Sequence, residues 1–189
     1  FDSSLIEAVS IFFMLLAGIN FGLHFFVWQR KDPLFYFRDS ETKAYLLFIL
    51  FGALLVCSLL WNSAELTGSW TQAFRQGVFQ TVSIATTTGF STSNFSEWPG
   101  ALPFILLFSA FAGGCAGSTA GGVKIIRVLL LSLQGLREVK RLVHPAGMFP
   151  LKLGGEPVTR RISESVWSFL SAYLIIFMMM VVVLLIISD

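Results

Sequence analysis

The sequence predicts an all-α polytopic membrane protein, and three observations carry that prediction. Of 189 residues, 55% are hydrophobic and only 13% are charged, with a mean hydropathy of +0.76. A soluble domain clothes its surface with about 25% charged residues, roughly twice this share. Four stretches stay apolar over the about 20 residues that cross a hydrocarbon core of about 30 Å, and all but one of the 13 lysines and arginines fall into two clusters. Several classes are excluded at once. Cys57 and Cys115 lie in apolar runs and read as small buried hydrophobes, not as a disulfide framework. High hydrophobicity excludes disorder, and a net charge of +2 argues against nucleic acid as a partner. His24 and His144, without a cysteine pair, make no zinc site, and no serine, histidine and acid constellation is readable, so the chain is not read as an enzyme.

Residues 5–28 are expected to form a first transmembrane helix. Within it Asn20 and His24 lie four apart on one face, beside Gly18 and Gly22. Interhelical hydrogen bonding is the favoured use of that pair, pore lining or proton sensing the other. Residues 44–62 form a second span, and 166–187 a last one of nearly pure Leu, Ile, Val, Met and Phe. Residues 101–134 read as a broken span: apolar from Ala101 to Ala112, glycine-rich from Gly113 to Gly122, and apolar again to Leu133. The linker 135–165 continues a helical spacing through Leu136, Val139 and Val143, suited to lying along anionic headgroups. All five tryptophans, Trp28, Trp61, Trp70, Trp98 and Trp167, fall near expected span ends and read as interfacial anchors.

Lysine and arginine near span ends are retained on the cytoplasmic side. Residues 30–43 and 124–161 are therefore expected inside, and 63–100 outside, where Glu65 and Glu97 lie; Asp2 and Asp189 fall on the same outer side. That parity forbids a crossing by the moderately polar residues 69–85, which must enter and leave on one face. Trp70, Phe74, Val78, Val82 and Ala85 recur at helical spacing, and Ser69 with Gln72 has the spacing of a capping box. The helix is expected to end near Ala85, ahead of a filter-like segment at 86–91. Non-helical backbone at membrane depth is tolerated only inside protein or along a water-filled cavity, so this stretch implies a pore or binding site.

The run Thr86, Thr87, Thr88, Gly89, Phe90 suits a monovalent cation. Backbone carbonyls of Thr87, Thr88 and Gly89 can replace hydration oxygens, Gly89 can adopt angles closed to other residues, and the negative end of the preceding helix dipole points at the same ion. As an isolated string it also fits an ordinary turn. The glycine break has three readings: a packing seam, since Gly113, Gly117 and Gly121 repeat every four residues; a kink; or an unwound loop, favoured because each helical glycine costs about 1 kcal/mol relative to alanine. Lys124 either forms a positive barrier, clasps loop carbonyls, or snorkels to the interface near Arg127. A phosphate-binding loop is excluded because Val123 intervenes before Lys124 and Ile125 stands where a hydroxyl is needed.

Span, re-entrant helix, filter and span in this order resemble one repeat of the Trk/Ktr/HKT potassium-transporter superfamily. The segment Thr87-Thr88-Gly89-Phe90-Ser91 is similar to its degenerate form of the potassium-channel filter. The run from Ala112 through Gly113, Gly114, Cys115, Gly117, Ser118, Thr119, Gly121, Gly122 and Lys124 to Arg127, with Trp98 to Pro103 upstream, resembles repeat three of bacterial TrkH/TrkG-type subunits. The resemblance covers nearly the whole chain: 5–28 as the closing helix of a preceding repeat, 44–134 as a complete pore-forming repeat, and 166–187 as the first helix of the next. It implies potassium uptake across the bacterial inner membrane, with potassium as the transported ion and no covalent cofactor. It further implies a gate at Gly113, Gly114, Gly117, Ser118, Thr119, Gly121, Gly122 and Lys124. The implied partners are the remaining repeats of one polypeptide, a second copy in a homodimer, and a cytoplasmic nucleotide-binding regulatory subunit. The 189 residues are accordingly expected to be a fragment. The competing expectation is a non-transporting membrane scaffold, with 69–90 lying at the interface and the glycines as a packing seam.

Overall fold

The structure is a computed structural model that describes residues 3–63, 69–144, 147 and 149–188. The expectations for Asp2, Glu65 and Asp189 lie outside the described residues. The chain divides into two compact units between Ile126 and Arg127. In the first, α1 (Ser4–Ala17), α2 (Phe21–Arg30), α3 (Phe35–Arg38), α4 (Ser40–Asn62), α5 (Trp70–Ala85), a 3-10 turn (Phe95–Glu97) and α6 (Leu102–Ala112) follow in order. The second holds most of α7 (Ile125–Val143), a two-stranded hairpin of β1 (Lys152–Leu153) and β2 (Glu156–Pro157), and α8 (Arg160–Ser188).

The helix α4 begins four residues before the expected span because Asp39 caps it, its Oδ2 accepting the Thr42 N–H at 2.7 Å. At 23 residues it is about 35 Å long and is one of two described helices apolar and long enough to cross a membrane; residues 161–188 of α8 are the other. Tyr45, Ile49, Ala53, Val56, Cys57 and Leu60 form its buried face, whereas Leu47, Leu50, Phe51 and Leu54 point outward. An apolar outer face is what lipid, not water, tolerates.

Residues 5–28 are not one helix. The chain breaks over Gly18, Ile19 and Asn20, and α1 and α2 meet at 96°. Asn20 N-caps α2, its Oδ1 accepting the Gly22 N–H at 2.8 Å, which starts a new helix instead of continuing the old one. Gly18 permits the turn to lie against Tyr45, whose hydroxyl donates to the Leu15 carbonyl at 3.1 Å; a Cβ at Gly18 runs into that phenol. His24 pairs with the Tyr36 hydroxyl at 2.6 Å and the Leu16 carbonyl at 3.0 Å, the hydrogen-bonding role favoured from sequence.

The core of the first unit joins Val56 and Leu60 of α4, Ala73 of α5, and Trp98, Leu102 and Leu106 at α6. Trp98 is thus a core residue, 7% exposed, and not an interfacial anchor: the turn at Pro99 and Gly100 folds its ring in against α6. Trp61 and Trp70 sit half-exposed, edge to face at 5.2 Å, Trp167 is likewise half-exposed, and Trp28 is exposed. In the second unit, α7 runs unbroken through Leu133 to Val143, so no boundary separates broken span from linker at 134, and α8 begins at Arg160, six residues ahead of the expected 166. The Arg127 guanidinium lies 3.9 Å over the Phe169 ring there.

Gly77 of α5 sets the distance between α5 and α4, since a Cβ there lies 2.8 Å from the Cys57 Sγ. Gly77→Ala is expected to destabilise the protein by about 1–3 kcal/mol through overpacking, and Cys57→Ala in the same chain to recover most of the loss. Thermal unfolding in detergent checks this; a double variant no more stable than Gly77→Ala would show that the sulfur is not the limiting contact.

Candidate functional site

The helix α5 starts where expected. Ser69 is its N-cap, although its Oγ accepts from the Thr71 N–H at 3.3 Å and not from the amide a capping box uses. Its buried face matches the apolar stripe read in the sequence only in part: Val82 and Ala85 are buried and Val78 partly so. Trp70 and Phe74 are half-exposed, and the face packed on α1, α4 and α6 carries Ala73 and Gly77, then Gln80, Thr81, Val82 and Ser83. Small residues let the helices approach, and polar ones accumulate toward the C-terminal end. This packing is not that of a helix lying on a membrane surface.

Those polar residues brace the extended segment after Ala85. The Gln80 Nε2 donates to the Ser91 Oγ at 2.8 Å and the Ser93 carbonyl at 2.9 Å. The Ser83 Oγ donates to the Phe90 carbonyl at 2.6 Å, while the Ser83 carbonyl accepts from the Thr88 N–H at 2.9 Å. The Thr86 hydroxyl bonds the Val82 carbonyl and lies 2.8 Å from the Thr88 hydroxyl. Sequence reasoning missed Gln80 and Ser83; the available signal was polar side chains at the end of a helix in a hydrophobic setting.

Residues 87–91 emerge exposed from this brace. Thr87 and Gly89 adopt left-handed backbone, φ 55° and 81°, a conformation that is uncommon for threonine and open to glycine. Among the described residues, the carbonyls of Thr87, Thr88 and Gly89 accept no hydrogen bond, while Phe90 on their far side is committed to Ser83. A groove of about 470 Å³ runs beside them, lined by Ser10, Phe13 and Ala17 of α1 and by Thr119.

The glycine-rich segment between α6 and α7 is not helical from Gly113 to Lys124. Gly113, Gly117 and Gly122 have positive φ, so neither a continuous packing seam nor a simple kink describes it. The loop is tied to the break between α1 and α2: Cys115 N–H donates to the Gly18 carbonyl at 2.8 Å, Thr119 N–H to Ala17 at 3.3 Å, and Phe21 N–H to the Gly117 carbonyl at 3.1 Å. It also touches the segment above, because Gly121 N–H donates to the Thr87 Oγ1 at 2.6 Å. Lys124 clasps the loop itself, its Nζ donating to the Ala120 carbonyl and lying 3.4 Å from the Ser118 carbonyl. Of the expected residues, Thr87 and Gly121 are brought into direct contact; Ser118 and Lys124 close the far side of the loop.

Two acidic residues complete the surroundings, neither singled out by the sequence. Glu41 of α4 accepts the Ala116 N–H at 2.6 Å, and the nearly buried Glu7 of α1 pairs with Arg75 of α5 through both oxygens at 2.5 and 2.7 Å. Their signal was an acid inside or at the mouth of an apolar helix.

The family model described as TrkH, cation transport protein, matches residues 1–188. The chain is 48% identical over 180 residues to the Trk system potassium uptake protein TrkH of Vibrio parahaemolyticus, covering 94% of this chain and 37% of that protein. It is 44% identical to the TrkH of Escherichia coli and 37% identical to the TrkG of the same species, covering 94% and 93% of this chain and 37% and 36% of those proteins. The crystal structure of the potassium transporter TrkH from Vibrio parahaemolyticus superposes with a TM-score of 0.90 at 45% identity, covering 95% of this chain and 38% of that one. The chain thus spans a little over a third of the length of these relatives.

The two glycines differ in what surrounds them. A Cβ at Gly122, φ +77°, meets the Ala110 carbonyl oxygen at 2.7 Å, whereas one at Gly89, φ +81°, meets nothing within 4 Å. Gly89→Ala is expected to cost about 1 kcal/mol from backbone strain alone, and Gly122→Ala about 3 kcal/mol or more. Thermal unfolding compares them, and equal losses would refute the assignment.

Proposed function

Because the chain belongs to the TrkH family of cation transport proteins, we propose that it supplies one selectivity-filter segment and one intramembrane gating loop to a potassium uptake pore in a bacterial cytoplasmic membrane. The observation that carries this reading is the free row of carbonyls at Thr87, Thr88 and Gly89, held at the C-terminal end of a packed helix. Such oxygens replace the hydration shell of a monovalent cation without a carboxylate, and the helix dipole adds negative potential at the same point. The remaining filter segments come from other repeats of the polypeptide. The loop from Gly113 to Lys124 obstructs permeation beneath the filter. Residues 30–43 and the helix through Val143 face the cytoplasm, where their basic side chains meet lipid headgroups and a nucleotide-binding regulatory subunit of a homodimeric assembly.

Gly89→Ser is expected to abolish discrimination between potassium and sodium while leaving the protein in the membrane. Radiolabelled rubidium and sodium fluxes measure this, and unchanged selectivity removes the filter assignment. Shortening residues 113–122 is expected to leave a leak that regulation no longer closes. A tightly closed deletion variant in the same flux assay would contradict the gate.

A further inference from the structure

Glu41 is 8% exposed in the first turn of α4, and a carboxylate in an apolar helix is retained only where it has a partner. Its hydrogen-bond partner among the described residues is a backbone amide. The Oε1 accepts the Ala116 N–H at 2.6 Å. Ala116 lies between Cys115 and Gly117, whose backbone groups bond Gly18 and Phe21 at 2.8 and 3.1 Å. Three consecutive loop residues are therefore held from the α1–α2 break and from α4, and only the bond from α4 comes from a side chain. A loop this rich in glycine has many conformations of similar energy, so one charge-assisted bond shifts its population measurably.

We propose that Glu41 is a positioning residue that holds the glycine-rich loop in its obstructing conformation, by fixing Ala116 to the base of α4. The inference rests on the gate reading for its functional consequence but not for its structural one. The bond needs reach as well as acceptance. Glutamine retains an acceptor oxygen at the same distance; aspartate, one methylene shorter, does not reach; alanine removes it.

Cys115 reports loop release, since it is fully buried beside Ala116 and, with Cys57, is one of only two thiols in the chain. In membrane vesicles carrying the protein with Cys57→Ala, the rate of maleimide labelling at Cys115 is expected to rise about tenfold in Glu41→Ala, the scale of one lost charge-assisted hydrogen bond. It rises also in Glu41→Asp, and by less in Glu41→Gln, which keeps the acceptor but loses the charge assistance. If Glu41→Ala does not reach the membrane, Glu41→Asp against Glu41→Gln carries the test. Unchanged labelling in Ala and Asp overturns the proposal. So does labelling of Cys57 in a Glu41→Ala, Cys115→Ala protein, because exposure there would mean general loosening of α4 and α5. Rubidium flux on the same vesicles separates the two readings. Faster labelling with a raised leak supports both, whereas faster labelling with unchanged flux keeps Glu41 as the loop anchor and removes the loop as the gate.

Discussion

Backbone amides and carbonyls withdrawn from water must find partners, and in an apolar medium that constraint admits broken helices only in company. Here two breaks satisfy each other. The interruption at Gly18 to Asn20 leaves carbonyls at Ala17 and Gly18 and an amide at Phe21 with no helical partner, and the loop from Gly113 to Lys124 supplies the Thr119 and Cys115 amides and the Gly117 carbonyl. Neither segment is stable at that depth alone. Tyr45 and Glu41 of α4 then close the remaining gaps, through Leu15 and Ala116 respectively. An unbroken helix is thus the one element, α4, against which both irregular segments are set.

The same constraint explains why the carbonyls of Thr87, Thr88 and Gly89 stand free. The turn after α5 has its amides satisfied from behind, by the Ile84 and Ser83 carbonyls, and its downstream arm pinned by Ser83 and Gln80. With those donors consumed on the protein side, the three carbonyls are left without a hydrogen-bond donor among the described residues. Thr87 belongs to both systems: its backbone is part of the free row, and its hydroxyl receives the Gly121 amide of the loop. The carbonyl row and the glycine-rich loop are therefore linked by a direct hydrogen bond.

Sequence periodicity made α4, α5 and the apolar length of α8 legible, since each is a local pattern of apolar spacing or cap residues. The polar turn after Ala85 and the non-helical glycine segment were legible too, from residue types that regular helix disfavours. What escaped was set by partners distant in sequence. Asn20 reads from the sequence as a polar residue within a span, and its N-cap role depends on a helix break whose partners, Gly117 and Cys115, lie about a hundred positions on. Trp98 reads as an anchor by position, and the packing of α4 and α6 puts it inside. The stripe Trp70, Phe74, Val78, Val82 and Ala85 named the helix correctly and its Val82 and Ala85 are buried, but toward the N-terminal end Ala73 and Gly77 against Cys57 take the inner face in place of Trp70 and Phe74. Gln80, Ser83 and Glu41 carry no periodic signal at all.

Arg75 shows how such a partner changes the meaning of a charge. It is the one basic residue outside the two clusters on which the orientation expectation rests, and on the counting rule it is a small contradiction. Its guanidinium grips both oxygens of Glu7, which is nearly buried on α1, so the charges cancel where they sit. Breaking a buried pair leaves an uncompensated charge and costs about 3–5 kcal/mol, less here because the arginine side chain is 41% exposed. The pair also joins α1 to the helix that ends at the carbonyl row, while the far end of α1 joins the loop beneath it. Through this pair at one end and the Ala17 and Gly18 carbonyls at the other, α1 bridges the helix that precedes the carbonyl row and the glycine-rich loop.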